Sequence, residues 1–132
     1  MKAVARRRAG TLEHSIEVGE HRLTVDEAQD HGGTDRGPNP QEMLAASLAS
    51  CSAITMEMYA ERKGWDIGDV SVSVDYEPAQ RGSPTKFAMR VHLPKELPED
   101  QREKLMQIVA KCPVHRTLEG EVMFDETVEE LS

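Results

Sequence analysis

Gly37-Pro38-Asn39-Pro40-Gln41-Glu42-Met43-Leu44-Ala45-Ala46-Ser47-Leu48-Ala49-Ser50-Cys51 leads into the longest stretch of the chain free of both glycine and proline, which ends only at Gly64. Asn39 suits an N-cap, and Pro40 suits the first helical position, where its missing N–H is not needed. Glu42 stands three residues after the cap, as a capping box requires. The helix is therefore predicted to run from Pro40 to a glycine cap at Gly64, about 24 residues or roughly 36 Å. Ala45, Ala46, Ala49, Ala53 and Ala60, with Ser47, Ser50 and Ser52, give it small residues on nearly every side. It reads as a central, buried helix that other elements approach closely.

Working outward, the N-terminal segment reads as a three-stranded meander. Lys2 to Ala9 forms the first strand. Ile16 and Val18, then Leu23 and Val25, alternate on either side of Gly19-Glu20, the pattern of a hairpin. Asp26 to Asn39 has the Gly, Asp and Pro density of a loop. Beyond Gly64, Val70, Val72 and Val74 alternate in one strand, and Phe87, Met89, Val91 and Leu93 in its partner, with Gln80 to Pro84 as the turn. Leu97-Pro98-Glu99-Asp100 opens a second helix with Leu105, Ile108 and Val109 on its apolar face. Pro113 interrupts that pattern. Val114 to Leu118 forms a short third helix closed by Gly120, and Val122 with Phe124 begins a last strand. The expected class is α+β, in the order β-β-β-α-β-β-α-α-β, as one domain over residues 1–132.

Composition excludes several functions. A net charge of −8 argues against nucleic acid, whose affinity needs a surplus of Lys and Arg. Arg6-Arg7-Arg8 is the only basic run and reads as a solvated strand face. No segment approaches the ~18 apolar residues of a membrane span, and Met1 to Arg6 has no apolar run behind it, so a cytoplasmic chain is expected. Gly32, Gly33 and Gly37 lack the pattern of a phosphate loop. Asp30, His31 and Asp35 lack a second cluster at ligand spacing, so neither metal nor cofactor is expected. Only 4% of residues are aromatic, and so light a core is easily completed by a second copy.

The two cysteines carry the chemical interest. In a reducing compartment they read as free thiols or a transient redox pair rather than a structural disulfide. Cys51, in the middle of the long helix, reads alone as a small buried hydrophobe. Cys112, directly before Pro113, falls at the cap of the next helix, where orphan N–H groups favour a thiolate, and Lys111, His115 and Arg116 add positive charge nearby. The two stand 61 positions apart, so only tertiary packing decides whether they meet.

The Gly37 to Cys51 stretch, followed by Met56-Glu57-Met58-Tyr59-Ala60 and Arg62-Lys63-Gly64-Trp65, resembles the central helix of the OsmC/Ohr family of osmotically inducible and organic hydroperoxide resistance proteins. Lys111-Cys112-Pro113-Val114-His115-Arg116-Thr117-Leu118 resembles that family's second cysteine motif, in the form of the OsmC-like branch. The resemblance implies an intertwined homodimer with long central helices packed against antiparallel sheets. It implies a thiol peroxidase acting on organic hydroperoxides, with Cys51 as the peroxidatic cysteine and Cys112 as the resolving one. A dithiol, in the family often a lipoyl-bearing protein, restores both. The family's reductases place a glutamate directly after the Asn-Pro of the helix start, where it orients an arginine beside the cysteine. Here Gln41 holds that place and Glu42 follows, about 100° further round the helix. Arg6, Arg7, Arg8 and Arg22 are the candidate arginines. The competing expectation is a non-enzymatic dimer that binds an apolar small molecule, with Met43, Met56 and Met58 lining the cleft.

Overall fold

The computed structural model describes residues 1–130. Its elements are β1 (Ala3–Arg7), β2 (His14–Val18), β3 (His21–Val25), a 3-10 turn at Gln29–His31, α1 (Pro40–Lys63), β4 (Ser71–Glu77), β5 (Lys86–His92), α2 (Glu99–Val109) and α3 (Pro113–Glu119). The α+β class and the antiparallel pairing of the N-terminal meander follow the sequence pattern. The last strand does not. Residues 121–130 carry no strand, and Val122, Met123, Phe124 and Val128 are exposed. A strand exists only where a neighbour satisfies its N–H and C=O groups, and this segment finds no ladder within its own chain.

The chain divides into two compact units, one of residues 1–47 and 74–89, the other of residues 48–73 and 90–132. In the first, β1, β2 and β3 form a sheet in that order, with Ala5 opposite Ile16 and Ile16 opposite Leu23. The period of two places Ala5, Ile16, Leu23 and Val25 on one face, and Arg6, Glu17 and Arg22 on the other. Glu17 pairs across the strands with both Arg6 and Arg22, each at 3.6 Å. Gly19, at φ 58°, takes the first position of the two-residue hairpin turn. The rings of Tyr76 and Phe87 stack with centroids 4.8 Å apart.

The loop into α1 is held by a carboxylate. Asp26 is only 2% exposed and accepts from the N–H groups of Glu27, Thr34 and Arg36 and from the Thr34 hydroxyl. Those donors hold its carboxyl below the usual range, against the smaller opposing effect of its enclosure by the loop. The sequence showed a loop here, without this clasp. Gly37 passes so close to Thr24 that a Cβ would overlap the Thr24 carbonyl.

The long helix begins and ends where its sequence dictates. Asn39 N–H donates to Glu42 Oε1 at 2.9 Å and Glu42 N–H to Asn39 Oδ1 at 2.8 Å, a complete capping box. At the other end Gly64 adopts φ 70°, with Trp65 N–H donating to Ala60 O and Gly64 N–H to Glu61 O, a Schellman motif. Only one stripe of α1 is buried in the single chain, namely Leu48, Ser52, Met56 and Ala60 at four-residue spacing. Ile54 and Met58 are more than half exposed, so burial on nearly every side does not hold for one copy.

The second unit holds the core. Leu48, Met56, Ala60, Ile67, Leu97, Leu105, Ile108, Val109 and Cys112 are its buried apolar side chains, drawn from α1, α2 and the segments around them. Among the described residues of the first unit, Asp26 is the single buried side chain.

Candidate functional site

Cys112 lies at the junction of α2 and α3. After Ala110 the chain leaves the helix, and Pro113, with φ fixed and no N–H, supplies the first residue of α3. Cys112 becomes the N-cap, at φ −65° and ψ 144°, and its sulfur takes the place a serine or aspartate oxygen takes elsewhere. The N–H of His115 donates to Cys112 Sγ at 3.3 Å. The sequence anticipated positive side chains around this sulfur; the observed partner is backbone. The His115 ring meets Glu119, its Nδ1 2.7 Å from Glu119 Oε1 but outside hydrogen-bond geometry. Lys111 and Arg116 are exposed.

Two consecutive residues of α1 meet this sulfur. Ser52, fully buried, places its Oγ 3.6 Å from Cys112 Sγ. Cys51 is half-buried, and its thiol interacts with the same sulfur. Both cysteines are free thiols. The packing of the second unit thus brings together the two cysteines that the sequence left far apart.

The surroundings of Cys51 act on its proton in opposite directions. Burial pushes the thiol above its ordinary value of 9.0, and the Cys112 sulfur, as acceptor and as a like charge, pushes the same way. The N–H of Val114 and the hydroxyl of Thr55 donate to Cys51 and pull down, without reversing the shift. The helical spacing of the sequence puts Thr55 in line with Cys51, whereas Val114 did not stand out. The signal for Val114 was its position, two residues after a capping cysteine, where a helix N–H is unpaired. Thr55 stands four residues after Cys51, hence on the same face of the helix.

The remaining sequence candidates, Met56 and Met58 apart, lie in the first unit. Glu42 is engaged in the capping box. Gln41, with Asn39, Glu42, Asp75 and Tyr76, lines a pocket of about 310 Å³. Arg6 and Arg22 pair with Glu17, Arg8 pairs with Glu13 at 3.6 Å, and Arg7 Nε donates to the Thr11 carbonyl at 2.6 Å. Met43 lines a second pocket of the first unit, whereas Met56 is fully buried in the other core and Met58 is exposed. Asp30 and His31 are exposed on the 3-10 turn, and among the described residues no three His, Cys, Asp or Glu side chains gather as a metal site would require.

Fold and site together define a small α+β protein with an interacting pair of thiols, one residue fully buried and the other half-buried. The sequence model of the OsmC-like protein family matches residues 32–127, and the chain belongs to that family. It is 25% identical over 114 residues to an uncharacterised protein of Haloferax volcanii, a match covering 85% of this chain and 83% of that one. Among solved structures it resembles the OsmC-like protein of Mycoplasma pneumoniae, with 20% identity, TM-score 0.69, and coverage of 90% of this chain and 86% of that one. It also resembles the organic hydroperoxide resistance protein OsmC of Legionella pneumophila, with 21% identity, TM-score 0.63, and coverage of 91% and 90%. At these identities the structural likeness speaks for the fold. Among the described residues no helix is long and apolar enough to cross a membrane.

Proposed function

We propose that the protein is a dithiol peroxidase reducing organic hydroperoxides, with Cys51 as the attacking and Cys112 as the resolving cysteine. The observation that carries this reading is the interaction of a half-buried Cys51 with a fully buried Cys112. The Cys51 thiolate attacks the O–O bond, taking one oxygen as a sulfenic acid and releasing the other as an alkoxide that is protonated to the alcohol. Cys112 then attacks the sulfenic sulfur, forming the disulfide and expelling water. A dithiol returns two electrons and two protons. The Val114 N–H and the Thr55 hydroxyl are placed to stabilise the Cys51 thiolate as it forms.

Membership in a family that includes hydroperoxide resistance proteins supports the substrate class. A single domain working as a homodimer is part of the proposal. The first unit has no buried apolar side chain of its own, while Ile54, Met58 and Phe124 are exposed, so the chain offers more apolar surface than it covers. The test is to add cumene hydroperoxide to the reduced protein and count thiols. Loss of two thiols per chain, with one cumyl alcohol formed, supports the reading. Thiols that stay reduced while a known peroxidase is oxidised sink it.

A second reading, a non-enzymatic carrier of an apolar molecule, draws on a pocket of about 560 Å³ in the first unit, where Leu12, Ile16, Val25 and Met43 meet. Saturable binding of an apolar fluorophore by a protein inert to hydroperoxide favours it.

A further inference from the structure

We propose that reduction of the Cys51–Cys112 disulfide is directional: the external thiolate attacks Cys51, and Cys112 departs as the thiolate, with Ser52 as the residue positioned to receive it. This rests on the reading above that the two cysteines form a disulfide.

Three observations carry it. First, a thiolate has to reach one sulfur along the S–S axis. Cys112 has no exposed surface, whereas Cys51 is only half-buried. Second, the sulfur that leaves acquires the electron pair of the broken bond and needs donors. Cys112 has two within reach, the His115 N–H at 3.3 Å and the Ser52 Oγ at 3.6 Å. Third, Ser52 is fully buried, so its hydroxyl is held in the dry core, where a bond to an anion counts more than in water.

A thiolate RS⁻ forms an R–S–S bond to Cys51 while the Cys51–Cys112 bond breaks, and the pair goes to Cys112 sulfur. The second thiolate of the same dithiol then attacks the R sulfur, closes its own disulfide and expels Cys51 as thiolate. Both protein sulfurs take up the protons that the dithiol lost. Two electrons have passed from a dithiol to the protein, and the dithiol is the only co-reactant.

A monothiol halts this sequence after its first exchange. The full-length protein is oxidised with diamide, the disulfide is confirmed by mass, and glutathione is added briefly before quenching with iodoacetamide and mapping the peptides. The expected result is glutathione on Cys51 and the alkyl group on Cys112, in excess of about tenfold over the reverse pattern. Glutathione on Cys112, or equal labelling, overturns the direction. Failure of diamide to form the disulfide overturns instead the dithiol reading beneath it. Ser52→Ala is expected to slow the first exchange about fivefold and Ser52→Thr to restore it. An alanine variant reduced at the parental rate removes Ser52 from the proposal.

Discussion

Ser52 Oγ lies 3.6 Å from Cys112 Sγ, although the two residues are sixty positions apart and Ser52 directly follows the other cysteine of the chain. One turn of α1 thus presents a thiol and a hydroxyl to the same buried sulfur.

The two cysteines are expected to fail differently. Cys51→Ser should abolish hydroperoxide consumption. Cys112→Ser should still consume one equivalent and then stall as a sulfenic acid. Labelling with dimedone checks this, and a Cys112→Ser protein that turns over at the parental rate would exclude Cys112 as resolving residue.

Because burial and the adjoining Cys112 sulfur raise the Cys51 thiol, most of it is protonated at neutral pH. The thiolate is the reactive form, so iodoacetamide alkylation of Cys51 should climb about tenfold per pH unit from 7 towards 9, without a plateau below the ordinary thiol value. Thr55→Val removes a donor and should lower the rate at each pH in that range. Alkylation that levels off near pH 7 would show that the charge is stabilised by a group other than those described.

Asp26 gives the opposite sign. Its folded carboxyl titrates below the unfolded one, so its contribution is present above the unfolded value of about 3.9 and is lost as pH falls through the folded value. The melting temperature should therefore drop on acidification below about pH 4, and Asp26→Asn should flatten that limb while lowering the melting temperature at pH 7. Parallel acid limbs for the two proteins would count against the clasp.

Gly33 stands where a Cβ would overlap the Glu27 carbonyl, which is backbone and has nowhere to go. Gly33→Ala should destabilise by about 2 kcal/mol, read from denaturant midpoints at fixed protein concentration. Asn39→Ala, which removes one arm of the capping box, should cost about 1 kcal/mol.

Ile54→Glu bears on assembly. The side chain is 53% exposed in one copy, so the change should leave the single chain folded and shift sedimentation towards monomer. A dimer that is unaffected would place the contact elsewhere.

Much of the fold was legible because its signals are local. The Asn-Pro-x-Glu start and the Gly64 stop bound α1 at both ends. The alternation of Ile16, Val18, Leu23 and Val25 fixed the register of the hairpin. Cys-Pro announced a capping sulfur at Cys112. What stayed hidden depends on partners distant in sequence. Asp26 looked like any loop aspartate, since its donors at Thr34 and Arg36 declare themselves only once the loop has closed. Val122 and Phe124 alternate as a strand should, but alternation says nothing of whether a ladder stands beside them. Ser52 was one small residue among many until Cys112 came to rest against it.

Among the described residues the nine buried apolar side chains, Cys112 one of them, fall with Cys51 in the same compact unit, while the start of α1 belongs to one that buries only Asp26. Opening costs within the one helix are therefore uneven: its first two turns are secured by a cap, and the turns carrying Cys51 and Ser52 by a core. The cysteine pair is therefore expected among the slower-exchanging amides of the chain, with the helix start exchanging sooner, an order that hydrogen exchange along α1 reads directly.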